Sequence, residues 1–316
     1  MIRLILIRLL TFVPTVIVAS MVLFVAVNVV PGSASKAALG IYATPQAVKR
    51  FEHQHGLDRP LVIQYVEWAG KAVRGNFGMS FQNAVAVGPE VKKRLPVTLQ
   101  LAGMAFLVAV GLAISLGALA GFYHQRLPDV CITSIATLFG SVPNFWLATL
   151  LIYLFSLHLG WLPTGGYVPY SEDLVANLRG MILPSIALGV VSSGLLIRIM
   201  RTSLIEVMSA HFIETAQSKG ISNFNLVIRH ALRNALIPFL TVSAVEFGFL
   251  VGGVVILEDV FRIPGIGSLV LVGIINRDYP VLLAAAMVIT MIVLVTNLLV
   301  DLLATMIDPR QVRARN

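Results

Sequence analysis

Six apolar runs of about twenty residues dictate what this chain can become. They fall at roughly 9–30, 97–123, 130–157, 182–200, 236–257 and 281–305. A helix rises about 1.5 Å per residue, so some 20 apolar residues cross a hydrocarbon layer of about 30 Å. In lipid every backbone N–H and C=O needs a partner within the protein, which makes helices the natural solution for such runs. The fold class expected is an all-α polytopic membrane protein with about six transmembrane helices. Only 12% of the residues are charged, against about a quarter in a soluble domain.

The net charge of +8 does not point to nucleic acid, because the basic residues mostly flank the spans, where orientation rules explain them. The partner they imply is membrane lipid. With the N-terminus inside, Arg3, Arg8, Arg126, Arg198, Arg201, Lys219, Arg229, Arg233, Arg310, Arg313 and Arg315 all face the cytoplasm. The two short outer loops hold Arg179, Arg262 and Arg277. The long loop 31–96 holds nine basic residues, including Lys92-Lys93-Arg94 beside the second span, but long loops count less. The topology expected is N-in/C-in. The first run ends in Pro31-Gly32 and is too long for a signal peptide's apolar region, so it reads as an uncleaved span.

Two regions are expected: residues 1–96, the first span with one long external loop, and residues 97–316, a core of five spans. In the loop, Thr44 can cap a short helix with Pro45 in its first turn, and a second helix is expected from about 61 to 73. The third span is interrupted at Gly140-Ser141-Val142-Pro143-Asn144, where Pro143 removes a backbone donor. Trp161, Tyr167 and Tyr170 suit a membrane interface.

Between the fourth and fifth runs lies a long polar stretch, 201–238, on the cytoplasmic side. It reads as a helical hairpin: an amphipathic stretch to Lys219, a break at Gly220, a second stretch from Ser222, and Pro238 where a new apolar segment starts. In the second half Ile221, Phe224, Ile228 and Leu232 share one helical face and Asn225, Arg229 and Arg233 another; the apolar face is expected to pack under the spans.

Reactive chemistry is not indicated. The chain has no His-Glu-x-x-His, no Gly-x-Ser-x-Gly and no P-loop, so no catalytic residue is assigned and ATP must be bound elsewhere. Cys131 is alone, and His53-Gln54-His55 lacks a third ligand, so no metal site is assigned. The candidates for a transport pathway are Asn144 beside Pro143, Glu246 inside the fifth span and Asn297 in the sixth. Glu246 could line the pathway or pair structurally, since a lone carboxylate there is expensive. Asn144 fits the helix break better than cargo, and Asn297 with Asp301 fits interhelical hydrogen bonding.

Glu214-Thr215-Ala216, three residues and then Gly220 resembles the EAA loop of ABC-importer permeases, with Thr215 in place of the usual second-position Ala. The late Pro238 resembles the oligopeptide/dipeptide branch of the binding-protein-dependent transport family. Further stretches match that branch in order: Gly56-Leu57-Asp58-x-Pro60-Leu61, Gly75-Asn76-Phe77-Gly78, Leu95-Pro96-x-Thr98-Leu99, Val142-Pro143-Asn144-Phe145-Trp146, Arg198-x-x-Arg201, Phe261-x-x-Pro264-Gly265-Ile266-Gly267 and Arg277-Asp278-Tyr279-Pro280. The resemblance implies that Glu214, Thr215, Ala216, Lys219 and Gly220 couple to a cytoplasmic ATPase. It also implies a second homologous permease subunit, two ATP-binding cassette ATPases, an external solute-binding protein and a place in the bacterial inner membrane, with no cofactor held by the chain itself. Dipeptides or oligopeptides are the expected cargo, with nickel-chelate, glutathione or another small solute as the alternative. An ion-coupled secondary transporter would predict inverted repeats, which the sequence lacks, and an intramembrane enzyme would need catalytic groups at a recognisable spacing.

Overall fold

The computed structural model describes residues 2–29, 34–40, 43–218 and 220–307. Pro31-Gly32, Lys219 and the basic tail from Asp308 onward lie outside the described residues. Among the described residues the regular structure is helical, apart from one isolated bridge between Met79 and Ala86. Its helices are α1 (Ile2–Val29), α2 (Ala34–Leu39), α3 (Pro45–Gln54), α4 (Leu61–Ala72), α5 (Val87–Phe122), α6 (Leu127–Ser141), α7 (Asn144–Leu151), α8 (Leu174–Met208), α9 (His211–Ser218), α10 (Asn223–Leu226), α11 (Leu232–Val260), α12 (Ile266–Ile275) and α13 (Tyr279–Ile307). Five helical stretches are long and apolar enough to cross a membrane, and α6 with α7 makes a sixth, broken span.

The spine of the bundle is α5 against α8. Their contacts rise together in number: Ala105 carbonyl against Gly189, Ile197 carbonyl against Gly117, Leu204 against Gly121. The two helices therefore run parallel. Glycine is required at these crossings, because a Cβ on Gly189 would sit 2.6 Å from the Ala105 oxygen. The same holds where α8 meets α6: a Cβ on Gly194 would lie 2.4 Å from the Ala136 oxygen. Small residues let membrane helices approach backbone to backbone, which recovers packing energy that lipid cannot supply. Two buried clusters fill the bundle around this spine. One joins Leu101, Leu183, Leu250, Leu257 and Phe261; the other joins Leu196, Met200, Leu204, Phe239 and residues of the polar hairpin.

Several helices outrun their apolar windows. The second span's helix begins at Val87, not 97, and passes through Pro96. The fourth runs from Leu174 to Met208, taking in the first eight residues of the expected hairpin. Pro238 does not open a new segment; it lies inside α11. Hydropathy measures only the part of a helix that fits lipid, and nothing in these flanks stops the backbone ladder.

The third span breaks as Pro143 demands. Val142 and Pro143 are extended, and the two halves meet at 101°. Proline has no N–H to give and disfavours helix in the residue before it. α7 then widens into a π-helical stretch, Ile152–His158.

The external loop folds as expected. The Ala47 N–H donates to Thr44 Oγ1 at 3.2 Å, capping α3. His53 is an exposed partner of Asp58 at 2.8 Å, and that hydrogen bond holds the Asp58 carboxyl below its ordinary value. The loop is anchored on the start of α13. Asp278, buried, accepts from the Ser80 hydroxyl and from the Phe81 N–H. Two motifs almost 200 positions apart in sequence thus form one joint.

Candidate functional site

The polar hairpin is smaller than its sequence span. α8 ends at Met208, Ser209 and Ala210 turn the chain, and α9 follows as a separate two-turn helix. Its alternation is clean. Ile213 is only 1% exposed and joins the cluster of Leu204, Leu226 and Val227, with Ala216 packed beside it. Glu214 and Thr215 face outward, and the Glu214 side chain is 68% exposed in a weak pair with His211 at 3.2 Å. The Thr215 hydroxyl is turned back on its own helix, donating to the His211 carbonyl at 3.0 Å. A threonine at this position therefore leaves the helix intact and adds no free donor.

Gly220 closes α9. Its N–H donates to the Gln217 carbonyl at 2.9 Å, and its φ is +77°. A Cβ there would meet nothing within 4 Å, so the glycine is needed for its left-handed backbone and not for space. Of the five expected coupling residues, Glu214, Thr215, Ala216 and Gly220 form one compact unit, and Lys219 lies outside the described residues.

The return limb departs from the expected face. Val227–Ala231 is π-helical and leads straight into α11. The buried residues are Leu226, Val227, Ala231, Ala235 and Phe239, while Ile228 is 48% exposed. A π turn adds a residue to the repeat, so the face read from a 3.6 period slips by one. Ile221 and Leu232 do pack inward, and Asn225, Arg229 and Arg233 stay exposed as expected.

One ion pair fixes how α8 enters this unit. Arg201 donates from Nε and Nη2 to both oxygens of Asp129 at 2.5 and 2.7 Å. Asp129 is buried at the start of α6 and also accepts from the Gln125 N–H at 2.9 Å. Such two-pronged pairs set orientation as well as energy.

The pathway candidates separate. Asn144 does not serve the break; its Nδ2 donates across to the Gly253 carbonyl of α11 at 3.4 Å. The Asn297 Oδ1 lies across from Gly248 of α11. The side chain of Asp301 lies outside the description. Glu246 faces a cavity of 280 Å3 between α6, α8 and α11, which Thr137, Ser141, Ser192 and Arg198 also line.

The inner membrane component of binding-protein-dependent transport systems has a family model that matches residues 113–313, and the model of its N-terminal part matches residues 1–102. The chain belongs to this permease family. A Brucella suis biovar 1 protein, provisionally named a peptide transport system permease protein, is 37% identical over 310 residues, covering 98% of this chain and 99% of the relative. The glutathione transport system permease protein GsiC of Escherichia coli K12 is 36% identical over 302 residues, 96% of each chain. A crystal structure of an amino acid ABC transporter with histidines aligns over 70% of this chain and 94% of its own at 18% identity, TM-score 0.48.

The permease is thus a multi-pass transport subunit of an ABC importer, not an enzyme, and it works with a binding protein and ATPases. The most buried acid among the described residues escaped sequence reading. Glu258, fully buried at the outer end of α11, accepts from the Thr98 hydroxyl at 2.6 Å and the Ser268 N–H at 2.9 Å. Thr98 in turn accepts from the Ile266 N–H at 2.8 Å. A Cβ on Gly265 would fall on the Glu258 carboxylate. The motif Phe261–Gly267 is therefore a cradle for this acid, and it lays α12 back against the spans. The signal was present, since Glu258 stands three residues before the motif. Its partner Thr98, 160 residues away, was not nameable from sequence.

Proposed function

We propose that this permease, with a second homologous subunit, forms the translocation path of an ATP-driven importer of short peptides, with both termini in the cytoplasm. Two ATP-binding cassette subunits bind the ATP, each seated on one α9, and an external solute-binding protein delivers the cargo. The observation that carries the docking role is the build of α9. It is held to the bundle by the buried Ile213 while Glu214 and Thr215 face outward. A connector would not need a separate amphipathic helix closed by a left-handed glycine. The pathway residue we favour is Glu246, because it opens on a cavity while Asn144 and Asn297 face α11.

The test is Glu214→Arg in the assembled transporter. Co-purification of the ATPases and ATP-driven peptide uptake are expected to fall at least tenfold, with normal insertion of the permease. Uptake at the wild-type rate refutes the docking role. The relative named for glutathione supports a second cargo reading. Titrating dialanine and glutathione into the cognate binding protein separates them: whichever binds at least tenfold more tightly is the cargo class.

A further inference from the structure

The importer reading leaves open how a membrane-embedded cavity handles cargo that carries two opposite charges. Glu246 stands near the middle of α11, and Arg198 stands ten residues before the end of α8, about 15 Å along that helix. Both line the same 280 Å3 cavity. Among the described residues no ion pair within 4 Å joins them to each other or to a third charge. The Ser192 side chain stands beside Glu246 and lines the same cavity. Glu246 is half-buried within a span, where a lone carboxylate is costly unless a cation or water reaches it, and the guanidinium that shares its cavity is exposed and free to meet a ligand.

The hydroxyls of the cavity sharpen the chemistry. The Thr137 hydroxyl donates to the Thr133 carbonyl at 2.8 Å, and the Ser141 hydroxyl to the Thr137 carbonyl at 2.9 Å. Each has spent its one proton on its own helix, so each presents only lone pairs to the cavity. Those acceptors lie on α6, where the helix stops at the Pro143 break and its last carbonyls carry partial negative charge. The cavity therefore holds an acceptor wall, a carboxylate and a separate guanidinium. A purely anionic ligand would meet Glu246 and a purely cationic one Arg198. A zwitterion satisfies both ends, and the volume suits a compact one, at the small end of ligand pockets of about 300 Å3 and upward.

We infer that this cavity is a transit site for the charged termini of a short zwitterionic peptide, with Arg198 receiving the carboxylate and Glu246, beside Thr137 and Ser141, the ammonium. The inference rests on the importer reading above and assigns the cargo contacts within it.

The test uses the whole complex in proteoliposomes, with the binding protein outside and ATP on the ATPase side. The readout is labelled dialanine imported per ATP hydrolysed, for wild type, Arg198→Gln, Arg198→Lys and Glu246→Gln. Assembly is checked by co-purification of every subunit. Arg198→Gln and Glu246→Gln are each expected to lower the ratio at least tenfold in assembled complexes, while Arg198→Lys keeps at least half. Ratios within twofold of wild type in both glutamine variants overturn the inference and leave the importer reading standing. Glutamine variants that no longer assemble also overturn it, because the charges then serve the fold or the subunit interface. If the wild-type complex moves no dialanine with ATP, the peptide reading fails first and this inference with it.

Discussion

Removing the Arg201 guanidinium is the perturbation whose cost the structure defines best. Arg201→Met deletes two contacts to Asp129, at 2.5 and 2.7 Å, and keeps the apolar stem. The carboxylate left behind is 4% exposed, so water cannot replace what is lost. Breaking a buried pair by removing one partner costs about 3–5 kcal/mol. Here the Gln125 N–H at 2.9 Å and the Thr133 hydroxyl at 3.3 Å remain as donors, which places the cost near the lower end, about 3 kcal/mol. Asp129→Asn is milder. The Arg201 side chain is 24% exposed and can turn to water, and the new amide oxygen still accepts from Gln125, so about 1–2 kcal/mol is expected. The double variant buries no charge at all and should cost only about 1 kcal/mol, well below the sum of the singles. Equilibrium unfolding of the four proteins in mixed micelles gives all three differences. Additive costs, or an Arg201→Met protein within about 1 kcal/mol of wild type, refute the reasoning.

Two further outcomes follow from close packing and buried acceptors. Gly194→Ala puts a methyl 2.4 Å from the Ala136 oxygen, where no flexible side chain can yield, so α6 and α8 must part; about 1–3 kcal/mol is expected, while Gly103→Ala, with nothing within 4 Å, should be neutral or slightly stabilising in the same unfolding assay. Glu258→Ala strands the Thr98 hydroxyl and the Ser268 N–H, about 1–3 kcal/mol each, and Glu258→Gln, which keeps an acceptor, should lose less than half as much as measured by the thermal midpoint in detergent.

What could be read from the residues divides along a physical line. Local signals carried through: the apolar runs became the spans, Thr44 capped α3, Pro143 broke the third span, and Glu214, Thr215 and Ala216 share a short helix that Gly220 closes. Signals that depend on distant chain did not. Neither Asp129 nor Glu258 has a partner within its own helix strong enough to mark it. Each is explained only by a residue 72 or 160 positions away. The buried face of the return limb was missed because one π turn at Val227–Ala231 shifts the register, and no residue type announces a π turn. Arg198 was visible as part of a motif, yet nothing local puts it across a cavity from Glu246.

The arrangement along two helices bears on how work at α9 could reach the pathway. Reading α8 toward the cytoplasm gives Ser192 and Arg198 at the cavity, then Arg201 clamped to α6, then the turn into α9. Reading from the π-helical stretch outward through α11 gives Val227 in the cluster that holds Ile213, then Glu246 at the cavity, then Glu258 in the cradle of α12. A force applied at α9 thus meets both helices that carry the opposed charges, and the clamp at Arg201 lies between the point of application and Arg198. If docking drives transport through these helices, Arg201→Met should lower peptide imported per ATP in complexes that still assemble. The loss arises because α8 then turns at its end instead of moving α6 with it. A ratio unchanged from wild type would mean that the push travels by α11 alone.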